Sequence, residues 1–426
     1  MKLALRIIGY LTLVGLGFAL IQLPKPLVPE QRGAVEATAS VDPMPLNAYC
    51  PGPLAEVGGE QGTDLGAIER VGKATFNLWG ADAQAQENGG LLVSVEGKEQ
   101  STKLLSANQT QAISRERLSG LAASYCPMPQ VSGYFVVGDS GPGSESVLHL
   151  ANPNDVDLMV DLELVLESEV ATDRISLAAG EHKLVSLVAL SSAESSFVLR
   201  YQTSGLPVAA FMQLREVSGL SATGVALVPP TQPISQGAIA GLVVGENAIK
   251  SPTLRVFNPG LEDVELNLQA INSDDFELIQ IRVPAGVLLE ETLNLPAGVS
   301  LISFEAASEL VLSVRNDVIS PKVDFEWLLP TSVFERDLYL QAPGSTELVI
   351  SNPGLKPINL IIESSTSQEV SVAGRSSLLV PIERGPLKIA GFGFMASLNV
   401  LSNAGYAVIQ PTEMRNIGES IQVFVR

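Results

Sequence analysis

Three stretches of this chain end in the same turn. They are Ser146-Val147-Leu148-His149-Leu150-Ala151-Asn152-Pro153-Asn154, Thr253-Leu254-Arg255-Val256-Phe257-Asn258-Pro259-Gly260 and Glu347-Leu348-Val349-Ile350-Ser351-Asn352-Pro353-Gly354. Each closes a short alternating strand and precedes another. Proline has no N–H to give to a ladder and pushes the residue before it into extended geometry, so Asn-Pro stops a strand at the asparagine. Proline then suits the first inner position of a turn. Asn154, Gly260 and Gly354 suit a second inner position, where positive φ is expected.

The strands after these turns have a period of two. Leu158, Val160, Leu162, Leu164 and Leu166 alternate with outward positions such as Asp161 and Glu163. Val264, Leu266, Leu268 and Ala270 repeat the pattern, and Ile358, Leu360 and Ile362 repeat it again. Such alternation marks strands with one buried face. A second landmark follows each turn: Ala178-Ala179-Gly180, Pro284-Ala285-Gly286 and Val372-Ala373-Gly374. A later one, Ser204-Gly205-Leu206-Pro207, is matched to Arg315–Ile319 and to Ser402–Ala407. The opening Gly133–Gly138 is matched to Ala240–Gly245. Each period holds about seven strand-like runs, which fits a two-layer antiparallel sandwich of immunoglobulin type better than a propeller blade. The expected fold is all-β: tandem immunoglobulin-like antiparallel β-sandwiches in a row, behind an N-terminal transmembrane helix. The expected divisions are a membrane segment over 1–23, a spacer over 24–45, a disulfide-bracketed β domain over 46–130, and sandwich repeats over 131–232, 233–329 and 330–426. The last repeat is expected to end with a strand over Ser420–Val425.

The chain has 426 residues, 46% apolar, and a formal net charge of −20. That length holds three to four domains and the apolar content supports their cores. The negative field repels nucleic acid and anionic lipid, so no nucleic-acid partner is expected. With two histidines and two cysteines, no metal or other cofactor is expected.

Lys2 and Arg6 precede an uncharged run from Ile7 to Leu23. The run is at the short end of what spans a bilayer as a helix. The basic flank keeps the N-terminus inside and sends the bulk of the chain outward. It reads as a single-pass anchor or a signal peptide; the small-residue site Ala37-Thr38-Ala39 lies well beyond the run. Outside the cytoplasm, Cys50 in Tyr49-Cys50-Pro51-Gly52-Pro53 and Cys126 in Tyr125-Cys126-Pro127-Met128-Pro129 most simply pair. Closing that loop is worth roughly 4.5 kcal/mol in the chain-entropy account. The alternative, a reactive thiol pair, lacks close Cys-x-x-Cys spacing. Within the bracket, Ala74–Trp79 and Leu91–Val95 read as strands, and the more polar Asn108–Ala123 as a short helix.

Motifs for chemistry are weak. Gly138-Asp139-Ser140-Gly141-Pro142 resembles the nucleophile loop of chymotrypsin-like proteases, but it lacks one glycine and no histidine precedes Ser140. It reads as a flexible loop between strands. Asn152, Asn154, Asp155 and Asp157 carry oxygens at alternating spacing, but without the glycine and terminal glutamate of an EF-hand loop. Ser273–Glu277 reads as a hairpin tip. His149 sits in an alternating strand and is expected at solvent or a sheet edge. His182 has no recognisable context. Trp79 and Trp327 read as core packing before ligand platforms. Asn108-Gln109-Thr110 matches a glycosylation acceptor.

The N-terminal membrane segment, the Tyr-Cys50-Pro-Gly-Pro opening, the second Tyr-Cys126-Pro and the Asn-Pro-Gly turns together resemble an uncharacterised family of actinobacterial envelope proteins, a domain of unknown function. The resemblance spans roughly Ala48 to the C-terminus. It implies location and architecture and carries no catalytic residues over. The expected function is non-enzymatic: a membrane-anchored, extracytoplasmic structural or binding component of the cell envelope, meeting an envelope protein or cell-wall glycan. The alternatives are an envelope hydrolase using surface carboxylates and a chaperone-like module donating a strand edge.

Overall fold

The computed structural model of the chain describes residues 35–39, 45–58, 64–80, 82–86, 89–95, 106–167, 169–191, 196–219, 221–246, 250–272, 275–412, 414 and 421–425. The described fold is all-β, built of antiparallel sheets, with no helix among the described residues. The expected membrane segment and most of the expected spacer lie outside them. Among the described residues, no helix is long and apolar enough to cross a membrane.

The chain divides into two units, Met1–Pro43 with Ile417–Arg426, and Met44–Asn416. In the smaller, β1 (Val35–Ala39) is one strand of a two-stranded sheet. The larger opens with β2 (Leu46–Cys50), β3 (Leu54–Gly58), β4 (Asp64–Val71), β5 (Thr75–Trp79), β6 (Asp82–Ala85), β7 (Leu91–Val95), β8 (Ser106–Ser114) and β9 (Ser119–Tyr125). These form sheets β2-β7-β6, β3-β4 and β5-β8-β9. Cys50 and Cys126 are disulfide-bonded. The helix expected over Asn108–Ala123 is instead the β8–β9 hairpin. Its polar residues point inward and bond to main chain: Gln109 takes both the N–H and the C=O of Gly52. Gln111 accepts from Leu54 N and donates to Val71 O.

The first repeat holds β10 (Ser132–Gly138), β11 (Ser144–Ala151), β12 (Leu158–Val165), β13 (Val170–Leu177), β14 (His182–Ser186), β15 (Phe197–Thr203), β16 (Ala209–Ser218) and β17 (Ser221–Val228). They form two sheets, β10-β15-β12-β13 and β14-β11-β16-β17, over one core. The predicted alternation holds: Leu158, Val160, Leu162 and Leu164 are buried, each worth roughly 1.5–3 kcal/mol.

The second repeat holds β18 (Ile234–Val244), β19 (Thr253–Phe257), β20 (Val264–Asn272), β21 (Asp275–Val283), β22 (Leu288–Thr292), β23 (Gly298–Val318) and β24 (Asp324–Leu328). Its pairing is the same, except that β23 is one strand of 21 residues serving both sheets. Its first half pairs with β18 and β20, and its second with β19 and β24. The third repeat restores eight strands: β25 (Leu338–Ala342), β26 (Thr346–Asn352), β27 (Ile358–Glu363), β28 (Ser367–Val372), β29 (Ser376–Ile382), β30 (Gly385–Ala390), β31 (Met395–Ser402) and β32 (Gly405–Ile409). Its sheets are β25-β30-β27-β28 and β29-β26-β31-β32.

Strand register corrects the expected alignment. Ala151 faces Ala209, Phe257 faces Val311 and Ser351 faces Met395. The counterparts of Ser204–Pro207 are therefore Ala306–Glu309 and Ala390–Gly393, not Arg315–Ile319 or Ser402–Ala407. Ala306–Glu309 has neither glycine nor proline, so nothing breaks the backbone and two strands fuse. Likewise Gly133 faces Tyr201 as Gly237 faces Phe304, so the opening of repeat one matches residues from Gly237, not Ala240. The expected last strand exists as β33 (Ile421–Val425), but it pairs with β1 rather than with the third repeat.

The Asn-Pro turns work differently from the expectation. Neither Gly260 nor Gly354 has positive φ, and Arg375 is the one non-glycine residue that does among those described. The buried asparagine side chain organises each turn instead. Asn152 Oδ1 accepts from Asn154 N, Asn258 Oδ1 from Gly260 N, and Asn352 Oδ1 from Gly354 N. Each Nδ2 donates across to the end of a later strand or its turn, at Ala178 O, Val283 O and Val372 O.

The repeats do not lie in a row. Strands β9, β17, β24 and β32 meet, each beside two of the others, so the modules close into a ring. Each core is completed by the inner strand of the module that follows. Val225 and Leu227 enter the first core. Phe325 and Trp327 enter that of repeat one, and Tyr406 and Val408 that of repeat two. Leu121 and Ala123 of β9 close the circle in repeat three.

Candidate functional site

The ring closes because its inner strands begin small. Ser402 pairs with Gly405, Glu216 with Gly224, Ile113 with Gly120 and Val318 with Asp324, so these four lie at or near the starts of their strands. A Cβ on Gly224 would lie 2.5 Å from the Phe325 ring, and one on Gly120 2.9 Å from Val225 N. Only Asp324 carries a side chain there, and its carboxylate fills the centre. Oδ2 accepts from Leu121 N at 2.9 Å and Tyr406 N at 3.3 Å. Oδ1 accepts from Val225 N at 3.1 Å and Phe325 N at 3.0 Å. One N–H from each inner strand thus meets one carboxylate. Burial pushes the Asp324 pKa up to about 7, against the pull of these four donors. Glu326, two residues on, accepts from Trp327 N and Val408 N. Burial holds its carboxyl well above the usual range, and the Asp324 charge adds to the rise.

The four inner strands leave the hub at the same end, through Pro127, Pro229-Pro230, Pro330 and Pro411. These residues border a cavity of about 880 Å³. One wall is the outer face of the second repeat: Gln236 on β18, Asn267 and Gln269 on β20, Ser303 and Glu305 on β23. Pro353, Arg375 and Met395 of the third repeat also line the cavity, as do Glu326 and Trp327 of β24.

The cavity has a local cause. Successive repeats meet where strands β10 and β15, or their counterparts, face the next module. In repeat one the facing cross-strand pair is Tyr134–Arg200, and in repeat three it is Tyr339–Lys388. Both carry a cation near an aromatic face, at 5.9 and 5.8 Å. In repeat two the same pair is Ala238–Ser303. Phe257, which Tyr134 meets at 6.4 Å between ring centroids, corresponds to Ser351. Every filler is small at this seam, and the space stays open.

Arg375 also departs from the repeat. Leu177, Val283 and Val372 pair with the first residues of β12, β20 and β27, and three residues on stand Gly180, Gly286 and Arg375, so Arg375, not Gly374, takes the place of the two glycines. Those glycines have φ of 70°, and Arg375 has φ of 52°.

Of the sequence candidates, Trp327 and Pro353 border the cavity and the others fall elsewhere. Ser140 is buried, and its loop is packed rather than flexible: Asp139 accepts from Gly141 N and lies 3.8 Å from Arg255. Burial raises the Asp139 carboxyl, with Gly141 N–H and Arg255 opposing. His149 is buried, not at solvent, and lies beside the half-buried His182 with ring centroids 5.5 Å apart. Tyr49 reaches His182 Nδ1 at 3.2 Å, and His149 Nε2 meets Gln213 at 3.3 Å. Burial pulls His149 down to about 3 and His182 well below its ordinary value, with the nearby Arg70 charge adding to both. Trp327 is buried under the Arg255 guanidinium at 4.7 Å. Trp79 is half-buried against Tyr339 at 5.7 Å. Asn108 is buried and donates to Gln341 O, which leaves its amide no room for a glycan. Asn152, Asn154 and Asp157 are bonded within the turns, Asp157 to Ala179 N. Ser273 and Asp274 lie outside the described residues, between the paired Asn272 and Asp275. No group of three or more His, Cys, Asp or Glu able to hold a metal ion occurs among the described residues.

Neither the hub nor the cavity was foreseen from the sequence. The available signal was a third echo, Pro230-Thr231, Pro330-Thr331 and Pro411-Thr412, which marks where three of the four inner strands end.

Residues 79–382 match the profile of a family of unknown function, DUF5719, and the chain belongs to that family. A comparison with curated proteins finds no match.

Proposed function

We propose that this chain is a non-enzymatic, membrane-anchored, extracytoplasmic binding component of the cell envelope, and that its receptor site is the cavity between the second and third repeats. The uncharged run after Lys2 and Arg6 supports the anchor. The disulfide fits an oxidising compartment. The immunoglobulin-like reading rests on the inner pairing, second strand with fifth and third with sixth: β11 with β14, β12 with β15. The observation that carries the function is the cavity at a seam whose counterpart is filled, with a few polar side chains set in a mostly apolar lining. A mostly pre-formed concave site with a few placed polar groups is the usual form of a binding site.

The test is retention of the full chain, in detergent, on purified cell wall and on solubilised envelope protein. The reading expects retention on one of them and its loss in Ser303→Arg, which restores the filler found in repeat one. Retention that survives Ser303→Arg removes the cavity from the account. No retention on either fraction sinks the binding reading.

One observation favours a second reading. Glu326 and Glu305 both border the cavity, and a carboxyl with a raised pKa in a cleft suits a hydrolase's general acid. Against it, both Glu326 oxygens are taken by backbone N–H groups. Hydrolysis of wall glycan that Glu326→Gln abolishes would establish this reading. The strand-donating alternative finds less support. The long uncharged β18 is a sheet edge, but Thr331, Gln410 and Asn399 already bond its carbonyls at Ala238, Ala240 and Gly241.

A further inference from the structure

We propose that the cavity takes a peptide bearing a free carboxylate and that Arg375 is its anion anchor, an assignment that rests on the binding reading above. Three observations converge on Arg375. Its backbone occupies a left-handed turn position that costs free energy for any side chain and none for glycine. The two equivalent turns use glycine there, so the turn itself does not call for arginine. The guanidinium is exposed, borders the cavity and has no ion-pair partner among the described residues. A planar five-donor fork matches a carboxylate in two parallel hydrogen bonds.

The lining contributed by the second repeat indicates what else the ligand carries. Gln236, Gln269 and Asn267 present primary amides, each able to donate and accept, as peptide groups require. A sugar ring would want an exposed aromatic face. The aromatic residues bordering this cavity are buried, and the Trp327 face is covered by Arg255. The wall therefore suits an extended peptide better than a glycan.

The test is calorimetric titration of the full chain with acetyl-tetra-alanine as its free acid, with the same peptide as its C-terminal amide, and with a tetra-galacturonate. The free acid is expected to bind at least tenfold more tightly than the amide. Arg375→Gly is expected to erase that difference while its unfolding midpoint stays equal or rises, because the strain is relieved. Arg375→Lys is expected to keep part of the preference. An unchanged preference in Arg375→Gly overturns the assignment, as does binding of the uronate with both peptides silent. If all three probes are silent but Ser303→Arg still releases the chain from the envelope fraction, the assignment falls and the binding reading stands. If that retention is also absent, both fall.

Discussion

Two seams of the ring are built on the same plan and filled in opposite ways. Between repeats one and two, Val136, Val198, Phe257 and Val311 pack together, and buried charge surrounds them. Arg255 bonds Glu290 at 2.6 Å and Gly138 O at 2.8 Å, and its plane lies over Trp327. Arg315 pairs with Glu216 and Asp317 and lies over Phe325 at 4.5 Å. Between repeats two and three, the apolar contact is made by Ala238, Ala240, Leu301, Met395 and Val333, and the remaining volume is open. The fold does not require the cavity. Side-chain size at a few equivalent positions decides whether a seam is joint or receptor.

The largest effect is expected in the filled seam. Arg255→Ala leaves Asp139 and Glu290 without their cation and should cost about 3 kcal/mol, the low end of the range for breaking a buried pair because the Glu290 carboxylate is exposed to water; chemical denaturation measures it. A loss below about 1 kcal/mol would mean that the seam holds by packing alone. Tyr134→Ala copies the open seam into the filled one. It should cost roughly 1–3 kcal/mol, less than a fully buried aromatic because Tyr134 is only half-buried. The same denaturation series reads it, and a null result would separate cavity formation from Tyr134.

Stability responds to pH with two opposite signs, one from the histidine pair on β11 and β14 and one from Asp324 in the hub. His149 and His182 are neutral when folded, while the unfolded chain takes up protons near pH 6.5. Their contribution is present above that pH and is lost as pH falls towards the folded value of about 3 for His149. Asp324 is raised to about 7, so its contribution is greatest below about pH 4 and is lost as pH rises through 7. Asp324→Asn should therefore steepen the loss of stability on acidification from pH 7 to 4, and His149→Gln should flatten it. Each group contributes up to roughly 1.4 kcal/mol per pH unit within its window. Unchanged slopes in both variants would remove these groups from the pH response. Smallest of all, Ser303→Arg should change stability by less than about 0.5 kcal/mol, because it faces open space. A larger loss in the thermal midpoint would mean that the cavity wall cannot accept the filler.

Much of the fold was legible because it rests on local rules. Period two located the strands, and Asn-Pro located the turns between second and third strands in all three repeats. What was illegible depends on distance along the chain. Gly120, Gly224 and Gly405 read as weak strand formers until three other strands crowd them. The polar stretch holding Gln109 and Gln111 reads as a short helix until Gly52, Leu54 and Val71 are placed against their amides. Arg375 was hidden by the glycine before it: matching Gly374 to Gly180 and Gly286 puts the arginine outside the turn. The cavity was invisible because it is made of residues that are small, and an alanine or serine in a strand announces nothing.

The circular completion of the cores also constrains the order of events during synthesis. Leu121 and Ala123 of β9 leave the ribosome early, but the core they belong in is that of the third repeat, made last. The first module in turn waits for Val225 and Leu227. No stretch cut at a repeat boundary contains its own complete interior, so the ring has no natural half-built stage. Its long-range pairings make assembly slow and leave apolar strands unsheltered until the chain is nearly finished. A segment that emerges and must wait is a natural client for a chaperone, and the cell's need to shelter it grows with the distance between β9 and its partners.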